Sequence, residues 1–204
     1  MQAPPRYHST VTDRAESDAF ECLWNELDAV PEGYFAEIVA GGVRVLPRPG
    51  PRHARAASKL GASLDGSFGF DGEGQGGWVL LHEPDLRIGD DLRSPDLAGW
   101  RTERFVAPAG RAPFTVAPDW VCEVLSPTTA RYDRVEKMPL YARHGVQHLW
   151  LIDPEAKTLE VYRRQGELWL ALATHAEDSR IHAEPFDAVE LDLGPLWRLP
   201  GDPA

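Results

Sequence analysis

The sequence predicts an α/β domain in which a mixed sheet is flanked by helices and extended by an antiparallel meander. Three observations carry that expectation. Residues 119–126, DWVCEVLS, form a short and strongly apolar run of the kind that makes a central strand covered on both faces. Residues 18–30 and 53–64 carry apolar side chains at helical spacing. After residue 146, HLWLID, TLEVYR and ELWLALA are separated by the turn signals Asp153-Pro154-Glu155 and Gln165-Gly166, which reads as a meander.

The elements follow in order. Residues 1–17 are polar and contain prolines, and are expected to be a loose arm. The remaining 18–204 fit a single domain, since domains run to roughly 100–200 residues. Such a chain buries about 70% of its unfolded surface, enough for a core without staples. Residues 18–30 place apolar side chains at 20, 23, 24, 27 and 30, an amphipathic helix that Pro31-Glu32-Gly33 ends. YFAEIVAGGVRVLP reads as two strands joined at Gly41-Gly42. A Pro/Arg loop leads to the Ala-rich helix 53–64. Residues 66–77 hold six glycines but neither GxGxxG nor GxxxxGKS, so they read as a surface loop rather than a phosphate cradle.

WVLLHEP and DLRSPDLAGW are short strand candidates, and 101–118 is a linker. A helix is expected from Asp133, with Glu136 completing a capping box, as far as Arg143. Gly145 stands where a C-terminal glycine belongs. Pro139 either falls in the first turn of a helix that starts later or kinks this one. The tail, with Leu191, Leu193, Leu196 and Trp197, is apolar enough to dock on the body or on a partner chain.

Composition excludes several classes. Hydrophobic residues are 43% and charged residues 26%, an ordinary globular balance. No apolar run reaches the roughly 18–20 residues that cross a bilayer, and no signal peptide is visible, so no membrane partner is expected. Cys22 and Cys122 are far apart, which argues against a zinc ribbon or disulfide framework and fits a reducing cytoplasm. The net charge of -11 does not coat DNA non-specifically. It leaves room for enzymes that gather carboxylates around a metal. The lysines are Lys59, Lys137 and Lys157 only, so a lysine here is more informative than an arginine.

Three residues stand out together. Asp96 lies in Pro95-Asp96-Leu97, expected at the end of a strand. Glu123 sits inside the apolar VCEVLSP. Lys137 lies on the helix that follows. A carboxylate in a hydrophobic strand is costly unless it is paired or holds a metal. Two carboxylates from neighbouring strands can converge on one hard cation, and a nearby lysine can orient an attacking water or steady the charge on a phosphorane. Pro118-Asp119 is a rival Pro-Asp. Residues four apart on a strand are separated by about 13 Å at roughly 3.3 Å per residue, so Asp119 and Glu123 cannot share an ion.

The run EVLSPTTARYDRVEKMPLYARHGVQHLWLIDPEAKTLEVYR resembles the Uma-type restriction endonucleases, a branch of the PD-(D/E)xK nuclease superfamily. AEIVAGGV, PRPGPRHARAASKLGASL and SPDLAGW match the same family in the same order, so the resemblance spans roughly residues 18–193. It implies a restriction-endonuclease-like fold. It also implies Mg2+ or Mn2+ as cofactor, a metal-activated water as nucleophile and DNA as substrate. Asp96 corresponds to the aspartate of the PD half-motif and Glu123 to the acidic residue of the ExK half-motif. Leu125 stands where the lysine of that half-motif would be, and Lys137 takes its place from the next helix. The Val124 carbonyl is implied as a third metal ligand. Glu37 matches an early glutamate of the family, as an auxiliary ligand or a structural residue. Self-association, as a dimer with two sites for two strands, follows by analogy.

Other residues have open roles. His53 either contacts phosphate or Glu37, or caps its helix facing solvent. Arg131 and Arg134 either grip phosphates or pair with Asp133 and Glu136. His144 and His148 do not make a zinc pair, because Gly145 and a strand start intervene. Ser126 lacks a GxSxG elbow. Trp120, Trp150 and Trp169 read as core rather than base-stacking platforms. The leading function is a metal-dependent endonuclease cutting DNA. The alternatives are a weakly catalytic binding or regulatory module of a defence or mobile-element system, and a metal-dependent hydrolase of RNA or nucleotides. No helix-turn-helix, zinc finger or basic arm supplies sequence readout.

Overall fold

The computed structural model describes residues 11–71 and 74–202. Chain length alone predicts one domain; the described residues form two compact units, each with its own core. The first comprises, among the described residues, 11–48 together with Gly89–Arg93. Its helix α1 (Val11–Glu26) begins seven residues before the expected start at Asp18, so residues 11–17 are helical rather than part of a loose arm. Residues 1–10 of that arm lie outside the described residues. No proline stands between Val11 and Val30 to interrupt the helix.

Strands β1 (Tyr34–Val39) and β2 (Gly42–Pro47) pair antiparallel, as the sequence predicts. The turn is Ala40-Gly41, both at positive φ (49° and 76°), so Gly42 is already in the strand. β1 also pairs with the short strand that closes this unit, Asp91–Arg93. Phe20, Ile38 and Leu92 form its core, with Leu23, Trp24 and Leu27 packed against them.

In the second unit, α2 (Pro51–Phe68) runs past the expected end at Leu64 and takes the first glycine of the Gly-rich stretch into its last turn. The strands are β3 (Trp78–His82), β4 (Leu86–Ile88), β6 (Leu97–Arg101), β7 (Trp120–Val124), β8 (His148–Asp153), β9 (Thr158–Gln165), β10 (Leu168–Ala176), β11 (Arg180–Ile181) and β12 (Leu191–Asp192), the label β5 belonging to Asp91–Arg93. Among the described residues the main sheet has the order β10-β9-β8-β7-β6-β3. β7 pairs antiparallel with β6 and parallel with β8, so the sheet is mixed and DWVCEVLS is central, as predicted. β8, β9 and β10 make the predicted meander. The tail, ending in α5 (Gly194–Trp197), buries Leu193, Leu196 and Trp197 against the body of this unit.

The parallel β7–β8 connection is helical: α3 (Ala130–Tyr132), a π-helical turn (Asp133–Lys137) and α4 (Met138–Arg143). The π turn answers the Pro139 question. Pro139 lacks an N–H and crowds the preceding turn, and widening that turn to i→i+5 bonding lets the chain stay helical through it. The end of α4 is a Schellman motif. Val146 N–H donates to the Tyr141 carbonyl (3.1 Å) and Gly145 N–H to that of Ala142 (3.3 Å), with Gly145 at φ 88°.

Side chains of β7 alternate. Trp120, Cys122 and Val124 face the core that contains Ala56, Leu60 and Leu64 of α2. Val121 and Leu125 belong to the core that contains Leu140, Tyr141 and Val146, so Glu123 points to the α4 side. Among the described residues no helix is long and apolar enough to cross a membrane.

Gly99 of β6, between β3 and β7, is closely enclosed by both neighbouring strands. A Cβ there would come within 2.8 Å of Leu80 Cδ2, 3.2 Å of Trp78 and 3.3 Å of Trp120. Gly99→Ala is expected to cost about 1–3 kcal/mol by overpacking, measured by urea denaturation. An unchanged midpoint would mean that the three neighbours give way freely.

Candidate active site

Asp96 does not end a strand but immediately precedes β6, because the chain leaves Arg93 and turns through Ser94-Pro95. Its Oδ2 accepts a hydrogen bond from the Val124 N–H at 2.7 Å. Its Oδ1 lies 3.2 Å from His53 Nε2. His53 is buried in the first turn of α2, on the stripe that continues through Ala56, Leu60 and Leu64. Its Nδ1 is buried with no hydrogen-bond partner. His53 is therefore not a solvent-facing cap; it orients Asp96.

Glu123 is 2% exposed and Lys137 4% exposed. The Lys137 ammonium lies 3.1 Å from Glu123 Oε2 and 3.4 Å from the Ser94 carbonyl. Tyr141 Oη donates to Glu123 Oε1 at 2.7 Å. The two donors come from helix positions four apart, on one side of the chain, which is why both reach the same carboxylate. Asp133 Oδ1 is 3.7 Å from Lys137 Nζ, and the ammonium sits 5.5 Å from the centre of the Tyr132 ring. The expected capping box is absent. Helix already begins at Ala130, so Asp133 is the first residue of the π turn inside the helical segment, and it is buried beside Lys137.

Electrostatics single out Glu123. Burial holds its carboxyl well above the ordinary carboxylate range; Lys137 opposes this, Asp133 and Asp96 add to it, and the Tyr141 hydrogen bond opposes it. Burial also pushes the Cys122 thiol up, with Asp96 and Glu123 adding to it, so this cysteine is no nucleophile.

Glu37 is fully buried in the other unit, its carboxylate 4.0 Å from Arg93 Nη1. Arg134 pairs with Glu160 of β9 at 2.5 Å rather than with Asp133 or Glu136. Arg131 is exposed at the start of α3. Asp119 accepts from the Arg101 N–H at 2.8 Å and pairs with Arg104, a structural role. Ser126 bonds to Thr128 and Thr129 at the helix entry. His144 binds the Leu140 carbonyl, and His148 lies 4.0 Å from Glu184. Trp120 and Trp150 are core, and Trp169 packs beneath α4 with its indole N–H on the Met138 carbonyl.

Among the described residues no group of three or more His, Cys, Asp or Glu side chains is arranged to hold a metal ion. The donor set nonetheless suits a hard divalent cation once a backbone oxygen is counted. Val124 presents its N–H to Asp96, and in an extended strand the carbonyl of a residue shares the edge of its N–H. Two carboxylates and a carbonyl are oxygen donors of the type Mg2+ and Mn2+ prefer. Glu123 and Asp133 share one buried lysine, and Asp96 acts electrostatically on Glu123, so a cation would offset the repulsion among these carboxyl groups.

A model of the Uma2 family, described as putative restriction endonuclease, matches residues 24–194. The chain belongs to the Uma2 family. Among solved structures, that of a putative nuclease belonging to DUF820 from Anabaena variabilis ATCC 29413 is similar, with a TM-score of 0.64 and 24% identity. The match covers 85% of this chain and 96% of that one, and it shows the shared fold. No curated protein matches the chain. The Uma2 fold thus agrees with the restriction-endonuclease-like class read from the sequence.

Tyr141 and Asp133 were not singled out as site residues by sequence. Both stand four positions from Lys137, a signal available once the helix is taken as continuous through Pro139.

The Glu123 shift has a consequence for stability. Its folded pKa is raised, so the native state holds a proton that the unfolded state releases, and stability falls as pH rises from the ordinary carboxylate range upward. Between pH 5 and 8, metal-free wild type is expected to lose melting temperature relative to Glu123→Gln. A difference between the two that does not vary with pH would contradict the shift.

Proposed function

We propose that this Uma2 chain is a metal-dependent endonuclease hydrolysing DNA phosphodiester bonds, with Mg2+ or Mn2+ as cofactor. One observation carries the reading: Glu123, buried in the central strand, shares a carboxylate-rich pocket with Asp96 and the only buried lysine among the described residues. Membership of a family described as putative restriction endonuclease supports the nuclease class.

Asp96, Glu123 and the Val124 carbonyl would hold the ion. When bound, it would supply positive charge for the phosphate oxygens and lower the pKa of a water toward neutrality. The remaining work belongs to the chain. His53 fixes the rotamer of Asp96, and Tyr141 that of Glu123. Lys137 orients the attacking water and offsets the charge that builds on the phosphate. Arg131, exposed near the helix entry, is available to a neighbouring phosphate, as a positively charged contact on an acidic protein must be local. Glu37 remains an auxiliary acidic residue on the strength of the family resemblance, and its place beside Arg93 makes it a support of its own unit as well. Two copies would serve the two strands of a duplex.

Calorimetric titration of Mn2+ into wild type and Asp96→Asn/Glu123→Gln, beside cleavage of supercoiled plasmid, tests this. Wild type is expected to bind and nick, and the double variant to do neither. Binding without cleavage of DNA or RNA would favour a regulatory module, and cleavage of RNA alone would move the substrate. Failure of wild type to bind would overturn the metal assignment.

Lys137→Ala is expected to lower the cleavage rate by ~100-fold, in the range for loss of a group that stabilises developing charge, with Mn2+ affinity little changed. Equal losses in rate and affinity would make Lys137 a structural residue.

A further inference from the structure

Lys137 is held by two carboxylates of different origin. Glu123 belongs to β7, across the interface, at 3.1 Å. Asp133 belongs to the π turn that carries Lys137 itself, at 3.7 Å. An acid buried to 3% exposure in a helical turn is costly and needs a partner of opposite charge. Asp133 and Lys137 stand four positions apart in the helical segment, on one side of it, which puts their charged atoms 3.7 Å apart.

The two carboxylates differ in what a bound cation does to them. An ion held by Glu123 would satisfy that carboxylate and remove the attraction that keeps the ammonium beside it. A desolvated ammonium left without an anion is unstable in place. Asp133 moves with the lysine and stays available to it, and the Ser94 carbonyl and the Tyr132 ring complete the enclosure.

We propose that Asp133 is the positioning residue of Lys137, a second carboxylate that keeps the ammonium at the site when Glu123 is neutralised by a bound cation. This deepens the function proposed above and rests on it for its catalytic meaning. The tether itself can be tested without any ion, because Glu123→Gln neutralises the same carboxylate.

With only three lysines in the chain, the Lys137 side-chain ammonium is readily assigned by 15N NMR of labelled protein. Its exchange-protected resonance is expected to persist in wild type, in wild type with saturating Mg2+ and in Glu123→Gln, and to disappear in Glu123→Gln/Asp133→Asn. Loss of the resonance already in Glu123→Gln, or its survival in the double variant, would overturn the proposal. If the double variant does not fold, Asp133→Asn with saturating Mg2+ carries the same comparison. Failure of Mg2+ to bind wild type would sink the proposed function while the Glu123→Gln arm still decides the tether.

A kinetic cycle separates positioning from general structural support. Asp133→Asn is expected to lower kcat by about tenfold, a coupling within the range for residues in one charge network, with KM unchanged. It is expected to have no further effect in a Lys137→Met background. An equal loss in both backgrounds would mean that Asp133 does not act through the lysine.

Discussion

The contact between Glu123 and Lys137 joins the central strand to the helix beside it, and much of this unit is arranged to make that contact tolerable. A carboxylate and an ammonium, each almost fully out of water, lose hydration that their mutual attraction recovers only when the remaining hydrogen-bonding capacity is met. Tyr141 meets it on the second oxygen of Glu123, and Ser94 and Asp133 meet it around the ammonium. Alternation along β7 turns Glu123 toward α4 while its neighbours Cys122 and Val124 enter the opposite core. The π turn brings Lys137 down onto it, and the Schellman end of α4 returns the chain to β8.

Asp96 approaches the same region from the turn that enters β6, held by the N–H of Val124 and by His53. The result is a cluster in which burial, with Asp133 and Asp96 nearby, makes Glu123 resist ionisation. Such a cluster is unfavourable for stability alone and suited to a cation. Fold and chemistry are thus linked at one residue: burial, reinforced by Asp133 and Asp96, raises the Glu123 pKa, and the same neighbouring carboxylates would draw a metal ion in.

Much of this was legible in the sequence, for identifiable reasons. The apolar run around Glu123 fixed a central strand because few other environments accept VCEV, and the turns at Asp153-Pro154 and Gln165-Gly166 marked the meander. The exclusion of Asp119 from strand geometry agrees with its pairing to Arg104 and the Arg101 N–H. Less legible were features that depend on tertiary packing. Asp133 has the local pattern of a cap and Glu136 completes a box, yet helix begins three residues earlier at Ala130 and buries it. His53 looked like a surface residue because its neighbours are Arg52 and Pro51, and only its place on the buried stripe of α2 turns it inward. The small core of Phe20, Ile38 and Leu92 needs a strand, Asp91–Arg93, that lies some fifty residues from β1 in sequence. Arg134 found Glu160, on a strand that no local rule connects to it.

The central claim is that the cluster of carboxylates around Glu123 is a cation site. Anomalous diffraction from crystals soaked in Mn2+ tests it most directly. The account requires a peak bridging the carboxylates of Asp96 and Glu123 and the Val124 carbonyl, at distances of about 2.0–2.6 Å, with Lys137 still beside Asp133. An ion bound elsewhere, or no ion while Glu123 remains clamped by Lys137 and Tyr141, would contradict it.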